Sequence, residues 1–343
     1  MEYENQDKPT APNVCVNCGN FTIQEGSPTP LCSECRKKFI NYPIPVPIKL
    51  FAAVIGLLLV FAMSKAPANF TSGIHYERGK EAVTKKKYHT ARMELQKVIS
   101  KVPGFSAAKE YLAVACFYDL DLETFVNTIK DLEGKNIEVK DLYGELSQLI
   151  IKATSYWPSD SFMTIFGKYH SFDSIPQSEY HQYVLLYPDE LFPLVRYSSA
   201  LFDNKMWKSS DSLLDVVLEK DPAYINALYL KTSIKREKGE FDSAHYYCDR
   251  ILSLNIESTY GMASKARTFL RQKNDEQGLQ WAIKSIANEP DDAYSKATLA
   301  LAYHFSDKHR ERDKILEAAK KDSLQFFYMQ YVYDVMEGKE KFR

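Results

Sequence analysis

The sequence predicts an all-α fold in which a right-handed α-solenoid of stacked helical hairpins makes up most of the chain, preceded by a small cysteine module and one apolar helix. Only 13 of the 343 residues are glycine, whereas 23 are tyrosine. A chain with less than the usual ~7% glycine favours helices over a barrel or a sandwich. Residue character also recurs every 34 residues: Pro222 and Pro290, for example, lie 68 positions apart. Such a period is typical of helical repeat arrays.

The charge balance and the missing motifs exclude two classes of function. Lys and Arg number 44 against 45 Asp and Glu, so the chain lacks the cationic surplus with which proteins neutralise nucleic-acid phosphates. No nucleic-acid partner is therefore expected. The sequence contains no G-x-S-x-G, H-E-x-x-H, G-x-x-x-x-G-K-[ST] or G-x-G-x-x-G motif. We expect no enzymatic activity and no catalytic residue.

The first element is a cysteine module that follows a disordered segment predicted over 1–12. Cys15 and Cys18 form one C-x2-C pair, and Cys32 and Cys35 form a second pair thirteen residues later. Two such turns can place four thiolates around one ion in a tetrahedral site. Gly19 suits the tight turn after the first pair, because a glycine accepts a positive φ.

These residues resemble a zinc ribbon over 13–38. The resemblance implies one structural zinc ion, bound by Cys15, Cys18, Cys32 and Cys35. Two alternatives remain open: an iron site of the rubredoxin type, and two disulfides in an oxidising compartment.

The second element is an apolar segment. Residues 50–63 read LFAAVIGLLLVFAM, and extension back to Ile44 reaches the ~20 residues that a bilayer core requires. We predict a transmembrane helix over 44–64. The alternatives are a buried core helix and a signal peptide, although a signal peptide would begin near residue 1.

The flanking charges predict how this helix is oriented. Arg36, Lys37, Lys38 and Lys49 precede the apolar run, and Lys65 is the one cation close behind it. The positive-inside bias predicts a cytoplasmic amino terminus and an extracytoplasmic carboxy-terminal part. We expect a single-pass protein of a bacterial inner membrane that contacts lipid through this helix.

Residues 70–343 are predicted to be helical repeats. Clear units fall at 72–105, 191–224, 225–258, 259–292 and 293–326. Ser210, Ala244 and Gly278 share the small site where two helices touch. Small residues there let two helix backbones approach, and a proline at the end of a unit stops its second helix. Residues 106–190 are less regular, and a closing helix over 327–338 is expected to cover the last unit.

These features resemble the tetratricopeptide repeat (TPR), whose marks are the 34-residue period, the small-aromatic-small pattern and the final proline. Together with the zinc ribbon and the apolar helix, the chain resembles bacterial membrane-anchored TPR proteins. The resemblance implies a TPR-like solenoid whose concave groove is lined by the first helix of each unit.

The family's groove positions supply candidate partner-binding residues. They are Arg196, Asn226, Tyr229, Arg236, Tyr260, Arg267, Arg271 and Tyr294, with Phe192 and His304 at further positions. Arginine and tyrosine anchor interfaces well, and they predict an acidic or aromatic-containing peptide segment as ligand. The alternative is that these are ordinary solvated helix faces. The clamp with which some TPR domains hold a terminal carboxylate is absent, because Val195 and Ser199 occupy two of its places.

The sequence therefore predicts a membrane-anchored, non-enzymatic scaffold that binds a protein or peptide in its groove and carries a structural zinc ribbon. The alternative function makes the ribbon the working part, as a sensor or a nucleic-acid or redox module coupled across the membrane to the repeats.

Overall fold

The computed structural model describes residues 14–26, 28–40, 44–320 and 323–343, which form α-helices and two short 3₁₀ helices and no strand. The chain divides into one unit that ends at Pro67 and a second unit over Ala68–Arg343. The α-helices are α1 Ser33–Ile40, α2 Val46–Thr84, α3 Tyr88–Lys101, α4 Ser106–Tyr118, α5 Leu122–Leu132, α6 Tyr143–Thr154, α7 Asp160–Phe166, α8 Gln177–Leu186, α9 Leu191–Asp203, α10 Trp207–Lys220, α11 Ile225–Glu237, α12 Phe241–Leu254, α13 Thr259–Arg271, α14 Asp275–Ile286, α15 Ala293–Phe305, α16 His309–Ala319 and α17 Ser323–Met336.

The helices of the second unit follow the 34-residue period. First helices begin at 191, 225, 259 and 293, and second helices begin at 207, 241, 275 and 309. The turn between the two helices of each pair contains one residue with positive φ, at Lys205, Gly239, Lys273 and Asp307, again 34 apart. Each first helix also packs on the next first helix, from α9 to α17. The all-α, TPR-like repeat fold is therefore confirmed.

The same hairpin also occurs in the first part of this unit. The turns at Lys86 and Leu120 contain positive-φ residues and lie 34 apart, so the end of α2 pairs with α3, and α4 pairs with α5. Residues 106–190 thus begin with a regular hairpin. The irregular part follows it, where the 3₁₀ helix Lys140–Leu142 and the short helices α6 to α8 lie.

Close helix packing explains the small residues at the crossings. Gly278 of α14 lies so close to Leu270 of α13 that an added Cβ would come within 2.5 Å of the leucine side chain. Ser210 and Ala244, at the equivalent positions, are fully buried. Close packing therefore requires a small side chain at each position where the two helices of one pair cross.

The irregular segment packs through an aromatic cluster rather than through the repeat pattern. Phe162, Phe166, Tyr180 and Tyr183 are almost completely buried together. A second aromatic contact links this region to the regular hairpins, because Tyr156 stacks on Tyr224 with ring centroids 4.2 Å apart. These contacts join helices that share no sequence period.

Two parts of the second unit that are far apart in sequence contact each other. The backbone N–H of Ile256 donates to the carbonyl of Lys86 (3.1 Å), across 170 positions of sequence. Both carboxylate oxygens of Glu257 accept hydrogen bonds from Thr90, one from the backbone N–H and one from the hydroxyl (2.8 and 2.7 Å). The first hairpin therefore contacts the α12–α13 turn directly.

The predicted transmembrane helix, and with it the single-pass inner-membrane localisation, is wrong. Within the part of the chain that the structure describes, no helix has both the length and the apolar character that a membrane crossing demands. The uninterrupted apolar run has fourteen residues, which at 1.5 Å per residue span roughly 21 Å of a hydrocarbon core about 30 Å thick. The predicted topology and the lipid contact depended on that helix and are withdrawn with it.

Candidate functional site

One large cleft lies along the first helices of the regular hairpins. Its volume is about 950 Å³, and it extends from α9 to the segment after α17. Five predicted groove residues line it: Arg236, Tyr260, Arg267, Arg271 and Tyr294. All five lie on first helices (α11, α13 and α15), and Tyr260 and Tyr294 occupy the same position of successive units.

The other predicted groove residues lie outside this cleft. Arg196 pairs with Asp173 (2.5 Å) and lies over the Phe172 ring. Asn226 is exposed on α11. Tyr229 packs behind the lining, with its ring 4.1 Å from that of Tyr260.

Phe192 and His304 are also placed elsewhere. Phe192 belongs to the aromatic cluster, 5.6 Å from Phe162. His304 lies 3.1 Å from a guanidinium nitrogen of Arg312, and burial together with that cation lowers its pKa.

Tyrosines at one position of three units form a stack along the cleft. The rings of Tyr260 and Tyr294 are 4.6 Å apart and nearly parallel, and Tyr328 meets Tyr294 edge-on at 6.2 Å. The three residues are 34 positions apart on α13, α15 and α17. Because each ring is held by its neighbours, the stack presents a rigid aromatic wall.

Two buried arginines lie next to this tyrosine stack. The Arg267 guanidinium lies 4.1 Å from the Tyr294 ring centroid, and its Nε donates to Thr298 Oγ1 (2.8 Å). Arg236 is 6% exposed, its Nη2 donates to Ser233 Oγ (3.3 Å), and its Nη1 has no hydrogen-bond partner among the described residues. Burying a guanidinium with so few acceptors is costly unless another group completes the site.

The electrostatics of the cleft follow from these cations. Burial opposes ionisation of Tyr294, but the adjacent Arg267 and Arg236 outweigh it and lower the pKa of the phenol. Burial raises the pKa of Tyr260 and of Tyr331 in the same cleft. The floor of the cleft therefore favours negative charge near Tyr294.

The third arginine of the cleft, Arg271, already uses its donors within the chain. Arg271 donates to the Glu237 carboxylate and to the Phe342 carbonyl. The segment after α17 folds back here, since Phe342 is buried with its ring 5.2 Å from that of Phe305. This segment is part of the wall of the cleft.

Sequence reasoning missed several lining residues. Tyr328, Tyr331, Ser233 and Glu340 all line the cleft. The period could have identified Tyr328, which lies 34 positions after Tyr294. Glu340 lies beyond the last helix, where no repeat pattern indicates its position.

The four cysteines of the first unit lie together. Their Sγ atoms are all within 4.8 Å of one another, and Cys18 Sγ lies 3.6 Å from Cys32 Sγ. All four are free thiols, and Asn17 Nδ2 donates to Cys35 Sγ (3.3 Å). The cluster could therefore hold a metal ion.

A second cluster of charged side chains joins distant hairpins. His89 of α3 lies 3.1 Å from Glu289 and 3.5 Å from Asp119, and Arg92 Nε is 2.7 Å from Asp119. The hydrogen bond to Asp119, and then that to Glu289, raises the pKa of His89 to about 9. The His89, Asp119 and Glu289 ligand atoms could hold a cation, but Arg92 already supplies positive charge between the carboxylates. This His89 cluster links α3 to the turn after α4 and to the loop after α14.

Comparison with known proteins gives only distant likenesses. No family model and no curated protein matches the chain. It is similar to a tetratricopeptide repeat protein from Parabacteroides merdae (13% identity, TM-score 0.40, 77% of this chain and 88% of that chain). It is also similar to YrrB, a TPR protein with an unusual peptide-binding site (10%, 0.29, 72% and 97%), and to the TPR2AB domain of yeast Sti1 in a pHSP90 complex (11%, 0.32, 69% and 99%). The repeat fold of this chain is established by its own helix positions, and these likenesses say nothing about its partner.

Proposed function

We propose that this chain is a non-enzymatic scaffold whose repeats bind a peptide or protein segment in the cleft. One observation carries the proposal: a rigid tyrosine stack lies beside a buried guanidinium that has an unused donor, in a cleft lined by residues of α9, α11, α13, α15 and α17. Tyrosine and arginine are the residues that most often dominate binding energy at protein interfaces. The cleft lining contains no histidine or cysteine among the described residues, so it offers neither of the commonest groups for base or nucleophilic chemistry.

Site-specific photo-crosslinking tests this function. Ser199 lines the cleft on α9, and Ser209 is exposed on α10 outside it. We expect a photoreactive residue at 199 to capture a discrete polypeptide in cells, while the same residue at 209 does not. Equal capture at both positions, or none at 199, would contradict binding in the cleft.

We also propose that Cys15, Cys18, Cys32 and Cys35 hold one structural zinc ion. In a tetrahedral ZnS₄ site with Zn–S of about 2.3 Å, neighbouring sulfurs are about 3.8 Å apart. The cluster fits this requirement, because its sulfurs lie within 4.8 Å of one another. The backbone N–H of Cys35, 3.5 Å from Cys32 Sγ, and the Asn17 amide direct donors at the sulfurs. Such donors favour thiolates.

Metal analysis of the purified chain tests the zinc proposal. We expect about one zinc per chain, no visible absorption, and loss of the metal in Cys15→Ser. The matched control is Cys116→Ser, because Cys116 is buried in the second unit. Iron with visible absorption would favour the rubredoxin-type alternative, and a metal-free cluster of disulfides would exclude both.

A further inference from the structure

The floor of the cleft contains a cation without a full set of acceptors. The Arg236 side chain is 7% exposed. Its nearest carboxylate oxygen, Glu237 Oε1, lies 3.8 Å from Nε, and the other oxygen of that carboxylate accepts from Arg271. Nη1 meets no acceptor. A buried guanidinium normally has its donors satisfied. Arg236 is therefore a buried cation whose hydrogen-bond donors are only partly used within the chain.

The surrounding charges and donors define what would complete it. Five cationic side chains and three carboxylates line the cleft. The Nε of Arg267 is used by Thr298, which leaves its two Nη groups for a ligand. Ser233, already within 3.3 Å of Arg236 Nη2, adds a hydroxyl. This is a cationic, hydrogen-bonding floor beside an aromatic wall.

On the basis of the proposed function, we propose that this floor is an anchor site for one carboxylate side chain, aspartate or glutamate, of the bound segment. The carboxylate pairs with Arg236 and Arg267, and its flanking residues lie against Tyr260 and Tyr294. We name this floor the acid anchor.

A carboxylate suits the acid anchor for two reasons. The planar guanidinium fork matches a planar carboxylate with two parallel hydrogen bonds. The cleft already contains one guanidinium–carboxylate contact, because Arg271 Nη2 donates to the Glu237 carboxylate. Arg196, by contrast, is neutralised by Asp173 outside the cleft, so it offers no comparable site although the sequence pattern treats it alike.

A synthetic peptide library tests the acid anchor. The full-length chain is incubated with nine-residue peptides that have one defined central residue and mixed flanking residues, blocked at both ends so that no terminal carboxylate competes. The defined residue is aspartate, glutamate, asparagine, glutamine or phosphoserine. We expect the glutamate or aspartate sets to be retained, and the best glutamate peptide to bind at least about tenfold more tightly than its glutamine counterpart.

Variants locate the preference. Arg236→Gln and Arg267→Gln should remove the glutamate-over-glutamine preference, whereas the control Arg196→Gln should keep it. Because Arg236→Gln alters a buried site, helicity and the unfolding midpoint are measured alongside. The glutamate–glutamine comparison on the unaltered chain tests the anchor without any variant.

The outcomes separate the two proposals. Peptides retained with no acidic preference would overturn the acid anchor and leave the scaffold function in place. Selection of phosphoserine without glutamate would overturn the assignment to a carboxylate. An acidic preference that survives in Arg236→Gln and Arg267→Gln would place the anchor elsewhere and overturn it here. If no peptide set is retained at all, the scaffold function fails with it.

Discussion

Protonation of His89 is expected to make the stability of the second unit depend on pH. His89 contacts Asp119 and Glu289, with Arg92 beside them, and its side chain is 13% exposed. A pKa of about 9 against the usual 6.5 corresponds to about 3 kcal/mol at 1.36 kcal/mol per pH unit. Because the folded-state pKa is the higher one, this stabilisation is fully present below pH 6.5 and is lost as the pH rises through about 9.

The assay compares the unaltered chain with His89→Gln, which retains a side-chain donor but cannot take a charge. Unfolding free energies from urea titrations are measured from pH 6 to 10, and the difference between the two chains isolates the histidine. We expect that difference to shrink by about 2–3 kcal/mol across this range. A difference that stays flat across this pH range would refute the reasoning.

Three further predictions concern other parts of the molecule. Cys15→Ser or a strong chelator should unfold the cysteine module, seen as lost amide protection there while helicity of the repeats is retained; a protected module without metal would contradict this. Gly278→Ala should lower the unfolding free energy by about 1–3 kcal/mol because its Cβ meets a leucine of α13 within 2.5 Å, whereas Gly104→Ala, with open space around it, should not. Tyr294 should ionise at lower pH than the other buried tyrosines, and Arg267→Gln should raise that pH; absorbance at alkaline pH measures it, with Tyr294→Phe identifying the signal, and an unchanged titration would contradict the pairing.

The sequence predicted the features that depend on local or strictly periodic interactions. The second helices begin at Trp207, Phe241, Asp275 and His309, each 34 positions apart. Small residues at the crossings follow the same spacing because every unit makes the same contact with its neighbour. The cysteine spacing likewise sufficed to predict the cluster, since two C-x2-C turns bring their thiols together in few ways.

Only five of the predicted groove residues line the cleft. A residue's position within a repeat does not determine which side chains surround it. The pattern predicts that Arg196 and Arg267 lie on the same surface, but Asp173 of the irregular segment pairs with Arg196. Tyr294 and Arg267 face each other across neighbouring units. The apolar run itself has only fourteen residues, and it reaches the length of a membrane span only if the proline-rich stretch before it is included.

The amino-acid sequence by itself determined the helical hairpins, their period and the cysteine cluster, because contacts between adjacent units and short loops carry that information. Only the tertiary structure decided that Lys86 meets Ile256, that Glu289 reaches His89, and that Phe342 folds against the cleft. Those contacts join residues tens to about two hundred positions apart. Which residues meet in these contacts depends on the small rotations accumulated over several hairpins and on the conformation of the irregular segment. A repeat pattern predicts neither of these.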